Sequence, residues 1–137
     1  MRHFYIFNIK DVFLKLIRRE PDILFNTLNS IYNMNIKDIN YGLYIYNNII
    51  DPINKNYVSE NIYKKYLNDT RYLKFMNTHM YNNYFNKETT RLIINNSFFK
   101  LDSTSINPTF FKTLNEYKNL FVCDFENKDY FWLESIA

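Results

Sequence analysis

Glycine is nearly missing from this chain: of 137 residues, only Gly42 is one. Loops that cradle nucleotide phosphates need several, because their backbone N–H groups approach the phosphates closely and take positive φ. Neither a GxGxxG turn nor a Walker-type loop can be assembled here. Cysteine is as scarce. Cys123 alone rules out an intramolecular disulfide and suits a reducing compartment. His3 and His79 are the only imidazoles, so the four soft ligands of a structural zinc site are lacking, and no metal or other cofactor is expected. Alanine occurs once, as Ala137, and glutamine not at all. No apolar run approaches the ~20 residues of a membrane-spanning helix. The opening MRHFYIFNIKDVF lacks the small residues of a secretory cleavage site, and Asp11, Glu20 and Asp22 oppose a mitochondrial presequence. The expected location is the cytoplasm or an organelle matrix, without secretion and without a membrane partner.

What is present is strongly skewed. Asn (22), Ile (16), Phe (13), Tyr (13) and Lys (12) dominate, and their codons are wholly or mostly A/T. That is the mark of mutational pressure on a reduced genome, such as that of an intracellular parasite, an organelle or a large DNA virus. The asparagines are interleaved with aromatic and aliphatic residues, as a foldable pattern requires. One domain spanning 1–137 is the natural reading at this length. The net charge of +3 is spread unevenly. Residues 58–100 hold seven basic and three acidic groups, whereas residues 101–137 hold three and six. A basic middle and an acidic end suggest a side that faces a polyanion.

Along the chain, residues 2–9 read as a buried strand and 10–19 as a helix with Val12, Phe13, Leu16 and Ile17 at helical spacing. Pro21 opens a second helix to about 34. Gly42 and Pro52 punctuate a segment in which 43–50 (LYIYNNII) reads as a strand. Residues 59–86 give the strongest helical pattern, with Ser59 as cap and Ile62, Tyr66, Leu73, Met76, Met80 and Tyr84 on one face. Asn68-Asp69-Thr70 is a place where it can divide. Residues 91–101 read as two strands turning at Asn95-Asn96, with Asn supplying positive φ. Asn107 and Pro108 start a helix bearing Phe110, Leu114, Tyr117 and Phe121, and 120–135 closes as a hairpin about Glu126–Asp129. The fold class expected is α+β: a small single domain with a mostly antiparallel sheet and hairpins, packed by three to five helices.

Few residues are placed for chemistry. His79 is expected on a helix flank, His3 near the start of a strand, and Cys123 as a small buried hydrophobe beside Val122 and Asp124. Asp124, Glu126 and Lys128, with Asp102, show an acid-x-Lys spacing that resembles the metal site of restriction-endonuclease-like nucleases. There, two carboxylates hold Mg²⁺ and a Lys stabilises the attacked phosphate. The plain reading of these residues is a charged hairpin turn. The remaining feature is the polar face of a 59–86 helix. On it Lys64, Arg71 and Lys74 gather, with Lys65 beside them, Phe75 among Asn61, Asn68, Thr78 and Asn82, and Lys87 and Arg91 extending the charge. Cations for phosphates, amides for sugars and rings for stacking make a nucleic-acid surface. A merely solvated helix face is the plainer alternative, since the isoelectric point of about 8.8 stays below that of dedicated nucleic-acid domains.

The function expected from sequence is therefore a non-catalytic accessory protein docked on a ribosome or other ribonucleoprotein. It would bind RNA or another polyanion through Lys64, Lys65, Arg71, Lys74, Phe75, Lys87 and Arg91, and no small-molecule substrate is expected. One alternative is a virus or parasite module that grips a host protein through exposed Tyr and Phe. A second is the Mg²⁺-dependent nuclease.

Overall fold

The computed structural model describes residues 1–136. The chain is built on one seven-stranded sheet in which every pairing is antiparallel. Strand β1 (Arg2–Asn8) lies near its centre. The chain then runs through α1 (Asp11–Ile17), α2 (Pro21–Tyr32), a 3-10 turn at Ile36–Asp38, α3 (Ile39–Ile49) and α4 (Lys55–Tyr66). A meander follows: β2 (Tyr72–Phe75), β3 (Thr78–Asn83), β4 (Glu88–Ile94) and β5 (Phe99–Ser103). After α5 (Thr109–Leu114), a hairpin of β6 (Leu120–Asp124) and β7 (Asp129–Trp132) closes the other flank. The strand order is β2-β3-β4-β5-β1-β6-β7, so β1 is held between two later parts of the chain. This is an α+β fold with hairpins and five α-helices.

Period-two alternation explains why the sheet is buried from both sides. In β1, Phe4 and Ile6 point to one face and Tyr5 and Phe7 to the other; in β6, Leu120 and Val122 oppose Phe121 and Cys123. The first face is covered by α4, through Val58 and Ile62, and by α5, through Phe110, Phe111 and Leu114. The second face is covered by the α1–α3 layer, through Ile17, Leu24, Phe25, Leu28 and Ile49. The chain crosses between layers at residues 50–53, where Ile50 joins the second core and Ile53 the first. The helical layer shields only the β1-β6-β7 side of its face. Toward β2, Leu73 and Phe75 stand exposed.

Several elements differ from the sequence expectation, each for a local reason. Residues 43–49 belong to helix α3, because Gly42, Ile45, Tyr46 and Ile49 follow helical spacing toward the core, and only Ile50 is extended, bridging to Ile9. The expected 59–86 helix ends at Tyr66; Asp69 accepts hydrogen bonds from the Arg71 backbone and guanidinium, making a tight turn, and residues 72–83 become a hairpin. The helix begins earlier than expected, at Lys55, and its cap is Asn54, which accepts from Tyr57 N at 3.2 Å. Helix α5 is capped not by Asn107 but from across the fold. The buried Glu88 carboxylate accepts from Thr109 N (3.0 Å) and Thr109 Oγ1 (2.7 Å). That helix stops at Leu114, so Phe121 is a strand residue. His79 sits fully buried on β3 and not on a helix flank. The turn at Asn95-Asn96 is present without positive φ.

Candidate functional site

Between Asp38 and Asp51 the chain carries no charged residue. Folding sorts this stretch into two sides of α3. Gly42 and Ile49 are buried with Ile45 and Tyr46 against them, while Ile39, Tyr41, Leu43 and Tyr44 are turned to solvent beside Asn40, Asn47 and Asn48. Tyr41 and Tyr44 are 65% and 68% exposed. Gly42 brings α3 close to the end of α2 and the turn after it: a Cβ there would meet Met34 Sδ at 2.6 Å. In the same layer, α1 leaves Val12 and Leu16 uncovered. Its start is tied to the end of α3 by the Lys10 N–H, which donates to the Ile49 carbonyl at 2.8 Å. Uncharged, tyrosine-bearing and apolar surface is the composition of the centre of protein interfaces, where charge is depleted and aromatic rings are enriched. The face is hidden in the sequence because LYIYNNII has the composition of a strand. The signal that was available is the uncharged window itself, in a chain that is 23% charged overall.

The cations expected to form one strip are dispersed. Lys64 and Lys65 lie at the end of α4, and Lys65 is paired with Glu116. Arg71 sits in the following turn, its Nε and Nη2 bound to Asp69 at 2.9 and 3.1 Å. Those hydrogen bonds hold the Asp69 carboxyl down to about 2. Lys74 and Phe75 are neighbours on β2 and so point to opposite faces; the Lys74 ammonium lies 5.7 Å from the centre of the Tyr63 ring. Lys87 is in the β3–β4 turn. Arg91 is on β4, where it donates to the buried Asp102 at 3.0 Å. The cationic strip required a continuous helix, and that helix is absent. Three of its members are instead neutralised by Glu116, Asp69 and Asp102.

The buried titratable groups singled out from the sequence are committed to the framework. Asp102 also meets His3 Nδ1 at 2.5 Å. Burial would raise its carboxyl, but the hydrogen bonds from His3 and Arg91 outweigh burial and keep it below the ordinary value. Asp124 pairs with Arg2 at 2.9 Å and accepts from Asn127, again below its ordinary value despite burial. His3 and Arg2 are adjacent in β1 and lie on opposite faces. The two carboxylates they hold, Asp102 and Asp124, therefore face away from each other and cannot share a metal ion. Lys128 occupies the last position of the β6–β7 turn, so the nuclease-like spacing is a hairpin turn. His79 is locked between Ser59 Oγ (2.9 Å) and the Tyr72 hydroxyl (2.6 Å), and burial with the nearby Lys74 charge pushes its pKa down to about 4. Burial pushes the Cys123 thiol up, away from the reactive thiolate.

Fold and surface together define a small α+β protein with an antiparallel sheet at its centre and an uncharged helical face on one side. The chain belongs to the family described as Sporulation inhibitor of replication protein SirA, whose model matches residues 2–137. No curated protein matches the sequence. This membership overturns the expectation of an RNA-binding factor docked on a ribosome or ribonucleoprotein, together with the large RNA-and-protein assembly as partner. It equally overturns the virus or parasite module aimed at a host protein. Among the described residues, no helix is long and apolar enough to cross a membrane.

Proposed function

We propose that this chain inhibits DNA replication in a spore-forming bacterium by docking, without catalysis, on a protein of the replication machinery inside the cell. The family supplies the process, replication. The uncharged outer face of α3 supplies the means: Tyr41 and Tyr44 offer large, stiff rings at low entropic cost, and Ile39 and Leu43 offer apolar area beside them. Val12 and Leu16 on α1 are further exposed apolar side chains of the same helical layer. A face with no charge of its own binds through shape and desolvation, so the association should depend little on salt.

The test is expression in a sporulating host, with the ratio of origin to terminus DNA as readout. The wild-type chain should lower that ratio. Tyr41→Arg combined with Tyr44→Arg should abolish the effect while leaving the melting transition intact, because both side chains are outside the core. Charge reversal at Lys64, Arg71 and Lys74 should leave inhibition in place. Inhibition that survives the tyrosine changes and is lost with the cation changes rejects the reading.

A further inference from the structure

A second feature lies beside the docking face, sharing Leu43 with it but argued from other residues. Between the α2–α3 layer and the sheet there is an apolar cavity of about 330 Å³, floored by Phe7, Leu28 and Phe98 and walled by Ile31 and Leu43. That is the lower end of the range for pockets that hold small molecules. Its only strong polar groups are engaged or at the margin: the Tyr46 hydroxyl already donates to the Ser97 carbonyl at 2.8 Å. On the side toward β5 the cavity meets a polar groove, and the two share Tyr5, Tyr32 and Phe125 as a common wall. These three rings contact one another, with centroids 4.5 to 5.5 Å apart.

The groove carries one cation and one anion that have no ion partner among the described residues. Lys100 lies over the Tyr5 ring at 5.9 Å, and Glu126 projects from the β6–β7 turn. The imidazole there, His3, is held by Asp102, whose carboxyl also feels the Lys100 charge without pairing with it. An apolar cavity opening on two unpaired charges of opposite sign is complementary to a molecule with an apolar body and a zwitterionic head. A simple fatty anion is matched less well, because Glu126 would repel its carboxylate.

We infer that this cleft binds a free amino acid with a large apolar side chain, the side chain in the cavity, the carboxylate toward Lys100 and the ammonium toward Glu126. The rings of Tyr5, Tyr32 and Phe125 line the boundary between the two parts and contact the Cβ region. Tyr5 stays a neutral hydrogen-bond donor, since burial and its bond with Tyr32 push it up to about 12.

Calorimetry on the whole chain tests this with L-phenylalanine, 3-phenylpropanoate, which lacks the ammonium, and phenethylamine, which lacks the carboxylate. L-Phenylalanine should bind saturably at one site, and each analogue should bind at least about tenfold more weakly. Lys100→Gln should erase the preference over phenethylamine, and Glu126→Gln the preference over 3-phenylpropanoate. Glu126 is exposed and Lys100 half-buried without an ion pair, and an unchanged melting transition in each variant shows that folding is not what the substitutions alter. Equal binding of all three compounds, or saturable binding of none, overturns the inference. The assay does not involve replication, so its failure leaves the docking proposal standing.

Discussion

At the scale of single residues, the scarcity of glycine has a structural signature. Among the described residues, four take positive φ: Met76, Lys87, Asn119 and Lys128, and none is glycine. The one glycine, Gly42, lies in a helix with no positive φ. The turns β3–β4 and β6–β7 are built alike. Asn83 Oδ1 accepts from Phe85 N (3.1 Å) and Asp124 Oδ1 from Asn127 N (3.1 Å), and each turn ends in an Asn-Lys pair whose lysine is left-handed. A residue with a Cβ loses about 1–2 kcal/mol in that conformation, partly offset because glycine is freer in the unfolded chain. Lys87→Gly and Lys128→Gly should therefore each raise stability by about 0.5–1 kcal/mol, read as a higher urea midpoint at unchanged slope. The same scarcity hid these hairpins from the sequence, since the usual Asn-Gly or Asp-Gly marker is missing.

At the scale of elements, what was legible depended on whether one periodicity stood alone. Residues 2–8 form a continuous aromatic and Ile run, the mark of a strand buried on both faces, and 21–32 carry Pro21 at the helix start, so β1 and α2 are visible in the sequence. In 39–50, β-branched and aromatic residues favour a strand by composition while Gly42, Ile45, Tyr46 and Ile49 follow helical spacing; burial against α2 and β1 decides for the helix. In 72–83 the reverse happened. Leu73, Met76 and Met80 match a helix by coincidence, whereas the core takes Tyr72, His79 and Tyr81 by alternation. The candidate docking face followed the fate of α3, so it was invisible until the helix was. The capping of α5 was beyond sequence reach, because Glu88 arrives from 21 residues away. It also accepts from Thr90 Oγ1 at 2.6 Å, and Thr90 in turn meets Ser103 Oγ at 2.7 Å. Glu88→Ala leaves these buried donors without a partner and should cost about 2–4 kcal/mol by chemical denaturation. Thr109→Ala, which removes one of those bonds, should cost less.

At the scale of the whole molecule, acid weakens the fold in two stages. The folded His79 titrates near 4 against an ordinary 6.5. Between those values the unfolded chain takes up a proton that the native protein refuses. Stability therefore falls as pH drops from about 6.5 to 4, by at most about 1.4 kcal/mol per pH unit. Below that, Asp69, Asp102 and Asp124, all held under their ordinary values, lose their ion pairs in turn as they protonate. Urea midpoints measured from pH 7 to 3 should fall throughout, and His79→Gln should flatten the upper stage only. A flat wild-type profile between pH 6.5 and 4 would show that His79 is protonated within the fold.

The place of β1 in the sheet has a kinetic consequence. Its neighbours, β5 and β6, lie about a hundred residues further along the chain, so β1 leaves the ribosome long before either strand it pairs with. Until then a segment with phenylalanine and isoleucine on both sides remains open to any passing chain. Nascent copies should be heavy clients of trigger-type chaperones, and products halted before β6 should aggregate and not persist as half-built intermediates.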